Sequence, residues 1–184
     1  MSLFSEIIKT RSIHFRNIQP GDTPARVKEV EGNECEEKLN SNPCYRYFFE
    51  VGEMEEVKVY YNFDAAVQAV TEITVYFIHY PDHYWKKAGN TDLVEFEIGV
   101  NNGSLPEYCN EVFEQTVSEV MQFFQELIPS APSVSLKDGA FNKPHQQFSS
   151  SLWALENDRW LSVMRYVDDT DFQNVRNTMK IHFR

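Results

Sequence analysis

Glycine is scarce in this sequence. Seven are scattered through 184 residues, with no GxGxxG and no GKS or GKT run, so no phosphate-cradling loop is offered. A GxSxG elbow and an HExxH helix are also missing, which removes two common hydrolase arrangements. Cysteine is limited to Cys35, Cys44 and Cys109, an odd number without a CxxC pair. That argues against a disulfide framework and a thiolate zinc site, and fits unreactive thiols in a reducing compartment. No apolar run approaches the roughly 20 residues that cross a bilayer. Residues 1–16 mix apolar side chains with Glu6, Lys9 and Arg11 and lack the zones of a signal peptide. A cytoplasmic location is therefore expected. Positive charge is short as well: 17 Lys and Arg stand against 28 Asp and Glu, a formal net charge of −11. Such a surface repels phosphate backbones and anionic lipid. Neither nucleic acid nor membrane is expected as a partner. A basic protein suits the charge better, although acidity also serves plain solubility.

What is present is enough to fill a core. Hydrophobic residues make up 42% and aromatic residues 14%, which excludes wholesale disorder and suits one domain or two small ones. Leu3, Phe4, Ile7 and Ile8 predict a short amphipathic helix. Gly21-Asp22-Thr23-Pro24 reads as a helix start, with Asp22 or Thr23 as cap and Pro24 in the first turn, and Gly32 ends that helix. Residues 33–43 read as a polar loop. Strands follow at Tyr45–Val51, at Val57–Tyr61 and at Ile73–Phe77, with a fourth across Val94–Val100. The clearest element is a helix over Leu105–Ile128. Ser104 and Glu107 would form its capping box, and Cys109, Phe113, Val120, Phe124 and Ile128 lie in its apolar stripe. Residues 130–147 read as a long loop. A hairpin over Phe148–Leu155 and Trp160–Val167 turns at Asn157-Asp158, and Thr178–Phe183 is the last strand.

Shifting the chain by 106 places lays Arg46–Ile78 over Leu152–Arg184 without a gap. Tyr47 then meets Trp153, Val57 meets Val163, Val75 meets Ile181 and Phe77 meets Phe183. Strict identities are few, and shared alternation alone gives similar matches. The expected fold is α+β, with antiparallel sheet or sheets and helices packed on one face. Where the repeat holds, it is a duplicated helix-then-three-strand unit with halves at 1–104 and 105–184 in one compact domain.

His79 and His83 stand four apart around Asp82, but Pro81 denies them the helix that would align them on a metal. Asp168-Asp169-Thr170-Asp171 lacks the glycine and terminal glutamate of a calcium loop. No metal, no cofactor and no catalytic residue is nominated; a carboxylate pair converging only in the fold is the enzyme alternative. The more unusual cluster is aromatic: Tyr80, His83, Tyr84 and Trp85 follow a strand end beside Lys86 and Lys87. Such rings suit a surface with one apolar and one wet side, and they suit core packing too. These four are the candidate partner-binding residues.

Ile18-Gln19-Pro20-Gly21-Asp22-Thr23, with Val27, Val30 and Gly32 and the aromatic strands beyond, resembles one repeat of the SmpA/OmlA lipoproteins and of the β-lactamase-inhibitor-protein family. The likeness covers residues 18–77. It departs from those families in lacking a secretion signal and in a second half without the glycine-threonine turn. It implies a non-enzymatic scaffold that binds proteins. In size and acidity the chain is also similar to small bacterial immunity proteins. An inhibitor or immunity-type protein acting on a basic partner is the expected role.

Overall fold

The structure, a computed structural model, describes residues 15–39, 43–50, 55–81, 85–86, 88–90, 92, 95, 109, 111–138, 147–155, 158–168 and 176–184. Phe15 and Ile18, both fully buried, bridge across a turn whose central residues Arg16 and Asn17 have φ of 51° and 64°. The chain then anchors to the sheet: Gly21 N–H donates to the Val70 carbonyl at 2.7 Å, and Val70 N–H to the Asp22 carbonyl at 2.7 Å. Gly21 adopts φ 101° to do so, a conformation that side chains with a Cβ resist. Helix α1 spans Pro24–Glu31. Its start and stop are those expected: Thr23 Oγ1 accepts from Arg26 N–H at 3.2 Å, Pro24 opens the first turn, and Gly32 closes it at φ 93°. Val27 is its buried residue.

The strands are β1 (Glu36–Lys38), β2 (Cys44–Glu50), β3 (Glu55–Asp64) and β4 (Ala69–His79), then β5 (Ser133–Asp138), β6 (Gln147–Ala154), β7 (Trp160–Asp168) and β8 (Arg176–Phe183). Between the two sets lies helix α2, Glu111–Leu127. All pairings are antiparallel, and the order across the single sheet is β1-β2-β3-β4-β8-β7-β6-β5. The chain is α+β and mostly sheet. Two helix-and-strand runs meet at β4 and β8, and the second set of strands mirrors the first about that seam.

Each run holds four strands rather than three. The extra ones, β1 and β5, fall in stretches expected to be loops. β1 is Glu36-Glu37-Lys38 and shows no apolar alternation. Its ladder with β2 forms it, helped by the ion pairs Lys28–Glu37 at 2.5 Å and Arg46–Glu36 at 3.8 Å. The ungapped shift of 106 also needs correction. Val75 faces Ile181 across the seam, as that shift requires. Val59 is the β3 neighbour of Val75, and Val163 is the β7 neighbour of Ile181. The counterpart of Val163 is thus Val59, two residues along from Val57. A slip of two preserves which side chains face the same way, so the sequence pattern could not detect it.

The odd-numbered residues of the central strands enter the core: Val57, Val59, Tyr61 and Phe63; Ile73, Val75 and Phe77; Leu161 and Val163; Met179, Ile181 and Phe183. α2 adds Phe113, Val120 and Phe124, followed by Ile128. The Phe124 ring lies 6.0 Å from Trp153 and 6.2 Å from Phe183, and Phe113 stacks on His79 at 5.9 Å. Arg165 of β7 reaches Glu114 of α2. α1 is tied in by Tyr47, whose hydroxyl donates to the Gly32 carbonyl at 2.8 Å, and by Tyr61, whose hydroxyl donates to Glu31. Asp158, in the turn between β6 and β7, has φ 57°, a conformation Asp tolerates; Asn157 lies outside the described residues.

The helix expected over 2–10 and the Ser104–Glu107 capping box lie outside the described residues. Of the strand expected over Val94–Val100, only Glu95 is described. It is helical, its N–H bonded to Asp92 Oδ1 at 3.1 Å. Among the described residues no helix is long and apolar enough to cross a membrane.

Candidate functional site

Of the residues nominated after β4, Tyr80 and Trp85 are among the described residues. Trp85 is only 5% exposed, so its ring cannot be the surface anchor the sequence suggested. It follows the buried Pro81 and precedes a turn in which Asn90 N–H bonds the Trp85 carbonyl at 3.3 Å. The chain folds back there, and the large apolar ring turns inward. Tyr80 is half-buried and its hydroxyl donates to Glu56 Oε2 at 2.9 Å. His83 and Tyr84 lie outside the described residues.

A better candidate is the set of strand side chains that alternates with the core set. Successive residues of a strand point to opposite faces, so the even-numbered residues share the other side of the sheet. The registers join Phe48, Lys58, Tyr76, Lys180, Met164 and Ser150 into one row across six strands. Lys58 Nζ lies 5.7 Å from the Phe48 ring centroid, and Lys180 Nζ lies 5.6 Å from that of Tyr76. The adjacent row runs Arg46, Tyr60, Thr74, His182, Ser162 and Leu152. There the Arg46 guanidinium sits 4.9 Å from the Tyr60 ring, and Tyr60 meets Tyr76 at 5.2 Å. Trp160 stands edge-on to His182 at 4.4 Å. Phe48 at 45% and Leu152 at 42% exposure mark the two ends of this face.

Stacked cations and rings hold one another in place, since each contact is worth about 0.5–2 kcal/mol depending on exposure. Two carboxylates of the face, Glu56 and Glu72, are engaged internally. Glu56 takes Lys58 Nζ at 3.3 Å as well as Tyr80. Glu72 Oε1 accepts from Asn62 Nδ2 at 3.3 Å and Thr74 Oγ1 at 3.2 Å, and His182 Nε2 lies 2.7 Å away. Burial lowers the His182 pKa below its ordinary value; Glu72 opposes that, while Lys180 and Arg184 add to it.

His182 beside Glu72, with Ser162 opposite it in register, has the residue types of an acyl-transfer triad. The geometry is not one. Ser162 is 2% exposed, and among the described residues its Oγ has no hydrogen-bond partner. A nucleophile needs both contact with its base and access to substrate. Among the described residues no group of three His, Cys, Asp or Glu is placed to hold a metal.

Comparison with family models, with curated proteins and with solved structures gives no match. The signal of the sheet face was available in the alternation: Tyr60 and Tyr76 are aromatic at positions that period-2 reading assigns to the side away from the core. A strand with one wet face normally carries small or charged residues there, so large rings on both sides were the clue.

Proposed function

We propose that this chain is a non-catalytic protein-binding module, and that the even-numbered face of the sheet is where it meets its partner. On this reading the contact strip is the partly exposed row beginning at Phe48, while Thr74, Ser162 and His182 of the adjacent row are buried. The observation that carries it is the row Phe48–Lys58–Tyr76–Lys180, in which rings and cations alternate across four neighbouring strands. Aromatic and arginine side chains dominate most protein interfaces because they bury much area for little lost freedom. A sheet lends them a rigid base. The resemblance to the β-lactamase-inhibitor-protein family agrees with such a scaffold, and an inhibitor or immunity-type role is the form we favour. A basic partner suits the net charge of −11. Among its described side chains the face carries Arg46, Lys58 and Lys180 against Glu56 and Glu72, so we place acidic or hydroxyl groups of that partner directly against it.

The test is a comparison of two tagged proteins in affinity capture from the source cell. One carries Phe48→Ser with Tyr76→Ser; the other carries Gln122→Lys on the exposed side of α2. The expected result is a partner held by the wild type and the helix variant and lost from the sheet variant. If the sheet variant folds normally and retains every captured protein, the face is not the binding surface.

A further inference from the structure

We propose that β5 is a self-association edge: two copies of this chain pair antiparallel through Ser133–Lys137, about a dyad at Ser135, and continue the sheet across the interface. This surface is separate from the even-numbered face and does not depend on the reading given for it.

An open sheet has two edges, each with a row of backbone N–H and C=O groups that can template another strand. The two edges here differ. β1 is three residues long and wholly exposed. Two of those three are glutamates tied to cations, Glu36 to Arg46 and Glu37 to Lys28. Shortness and charge are the usual protections of an edge. β5 has neither. It is Ser-Val-Ser-Leu-Lys-Asp, six residues without proline or glycine, charged only at its end. It pairs with β6 on one side, and no described segment pairs with its other side. Val134 is 62% exposed on this strand.

The sequence of β5 complements itself in one register. Residues opposite each other in an antiparallel pair point to the same face, so a dyad normal to the sheet must pass through a residue position. With the dyad at Ser135, Val134 stands opposite Leu136 of the other copy, twice over, and Ser133 stands opposite Lys137. With the dyad at Val134, Leu136 would meet Pro132, which has no N–H to give. With the dyad at Leu136, Val134 would meet Asp138. The Ser135 dyad alone leaves both Val134 and Leu136 opposite an aliphatic side chain, with neither proline nor aspartate facing them. That self-match selects a second copy over an unrelated peptide. Two copies each carry −11, so they repel at range, and salt shortens that repulsion.

Sedimentation velocity of the full chain at several concentrations and two salt levels tests this. The expected result is a monomer–dimer equilibrium that tightens with salt. Val134→Lys should raise its dissociation constant about tenfold or more, since it breaks two cross-strand pairs and opposes charge to an apolar residue. The register is read separately in a Cys35→Ser background. Ser135→Cys places two thiols opposite each other, with Cα atoms about 4.5–5.5 Å apart, inside the span of a disulfide. Mild oxidation should link that variant into dimers and leave Val134→Cys unlinked. A single monomeric species under all conditions overturns the proposal. So does a dimer that Val134→Lys leaves intact, or one that Ser135→Cys fails to link.

Discussion

The Tyr61 hydroxyl donates to one oxygen of the Glu31 carboxylate, while Arg16 Nη1 meets the other at 3.1 Å. The Glu31 side chain is fully buried. Three segments are thereby joined: the Phe15–Ile18 turn, the end of α1 and the middle of β3. A buried carboxylate is tolerated only when its lone pairs are satisfied. Tyr61→Phe removes a donor without changing the packing, and should cost about 1–3 kcal/mol in urea denaturation. The same contact sets an alkaline limit. Burial first, and Glu31 second, hold the Tyr61 pKa well above its ordinary value of 10.0. The unfolded chain loses this proton near pH 10 while the folded chain keeps it. Stability is therefore intact below pH 10 and falls as pH rises beyond it. Tyr61→Phe should flatten that fall; an unchanged alkaline slope in the variant would assign it to other groups.

Local chemistry was legible in the sequence wherever one residue type settles the matter. Thr23, Pro24 and Gly32 fixed the ends of α1, and Asp158 marks the turn between β6 and β7, because each acts within a few residues. The core strands were legible from alternation at Val57–Tyr61 and Ile73–Phe77. β1 and β5 were not: each forms by pairing with the next strand, and Glu36-Glu37-Lys38 has no pattern of its own. The proposed binding face was half legible. Its rings were visible, but their assembly into one row depends on registers joining β2 to β8, which no local pattern states. Trp85 misled for the same reason: composition gave a ring after a strand end, and only the fold decides which way it turns.

Trp85 now carries the opposite prediction. A ring at this depth contributes mainly packing, so Trp85→Ala should destabilise by about 3–5 kcal/mol. Its effect on partner capture should track the unfolded fraction and vanish at low temperature, where the variant remains folded. Loss of capture by a fully folded Trp85→Ala protein would return the ring to the interface.

Phe124 lies between Trp153 of β6 and Phe183 of β8, with neither ring more than 6.2 Å away. It is fully buried. Phe124→Ala leaves a cavity under two rings that the sheet cannot close over, and should cost about 3–5 kcal/mol. Phe124→Leu keeps most of the volume and should cost under about 1.5 kcal/mol. Equal losses for the two variants, measured by chemical denaturation, would mean that the site relaxes and that α2 is not firmly seated there.

His182 should make the fold sensitive to acid. It sits between Trp160 and Glu72, with Lys180 and Arg184 nearby, and burial is the largest cause of its lowered pKa. In the folded chain it stays neutral at a pH where the unfolded chain, with an ordinary value of 6.5, already takes up a proton. The unfolded state then binds more protons, so stability falls as pH drops below 6.5 and levels off once the folded imidazole is charged too. His182→Gln keeps a polar group at the position and cannot titrate. Its melting temperature should decline less than that of the wild type between pH 7 and pH 5, with the two proteins closest at neutral pH. Parallel declines would show that other groups carry the acid sensitivity. A wild type that gains stability on acidification would reverse the sign and place the Glu72 attraction above the burial of the ring.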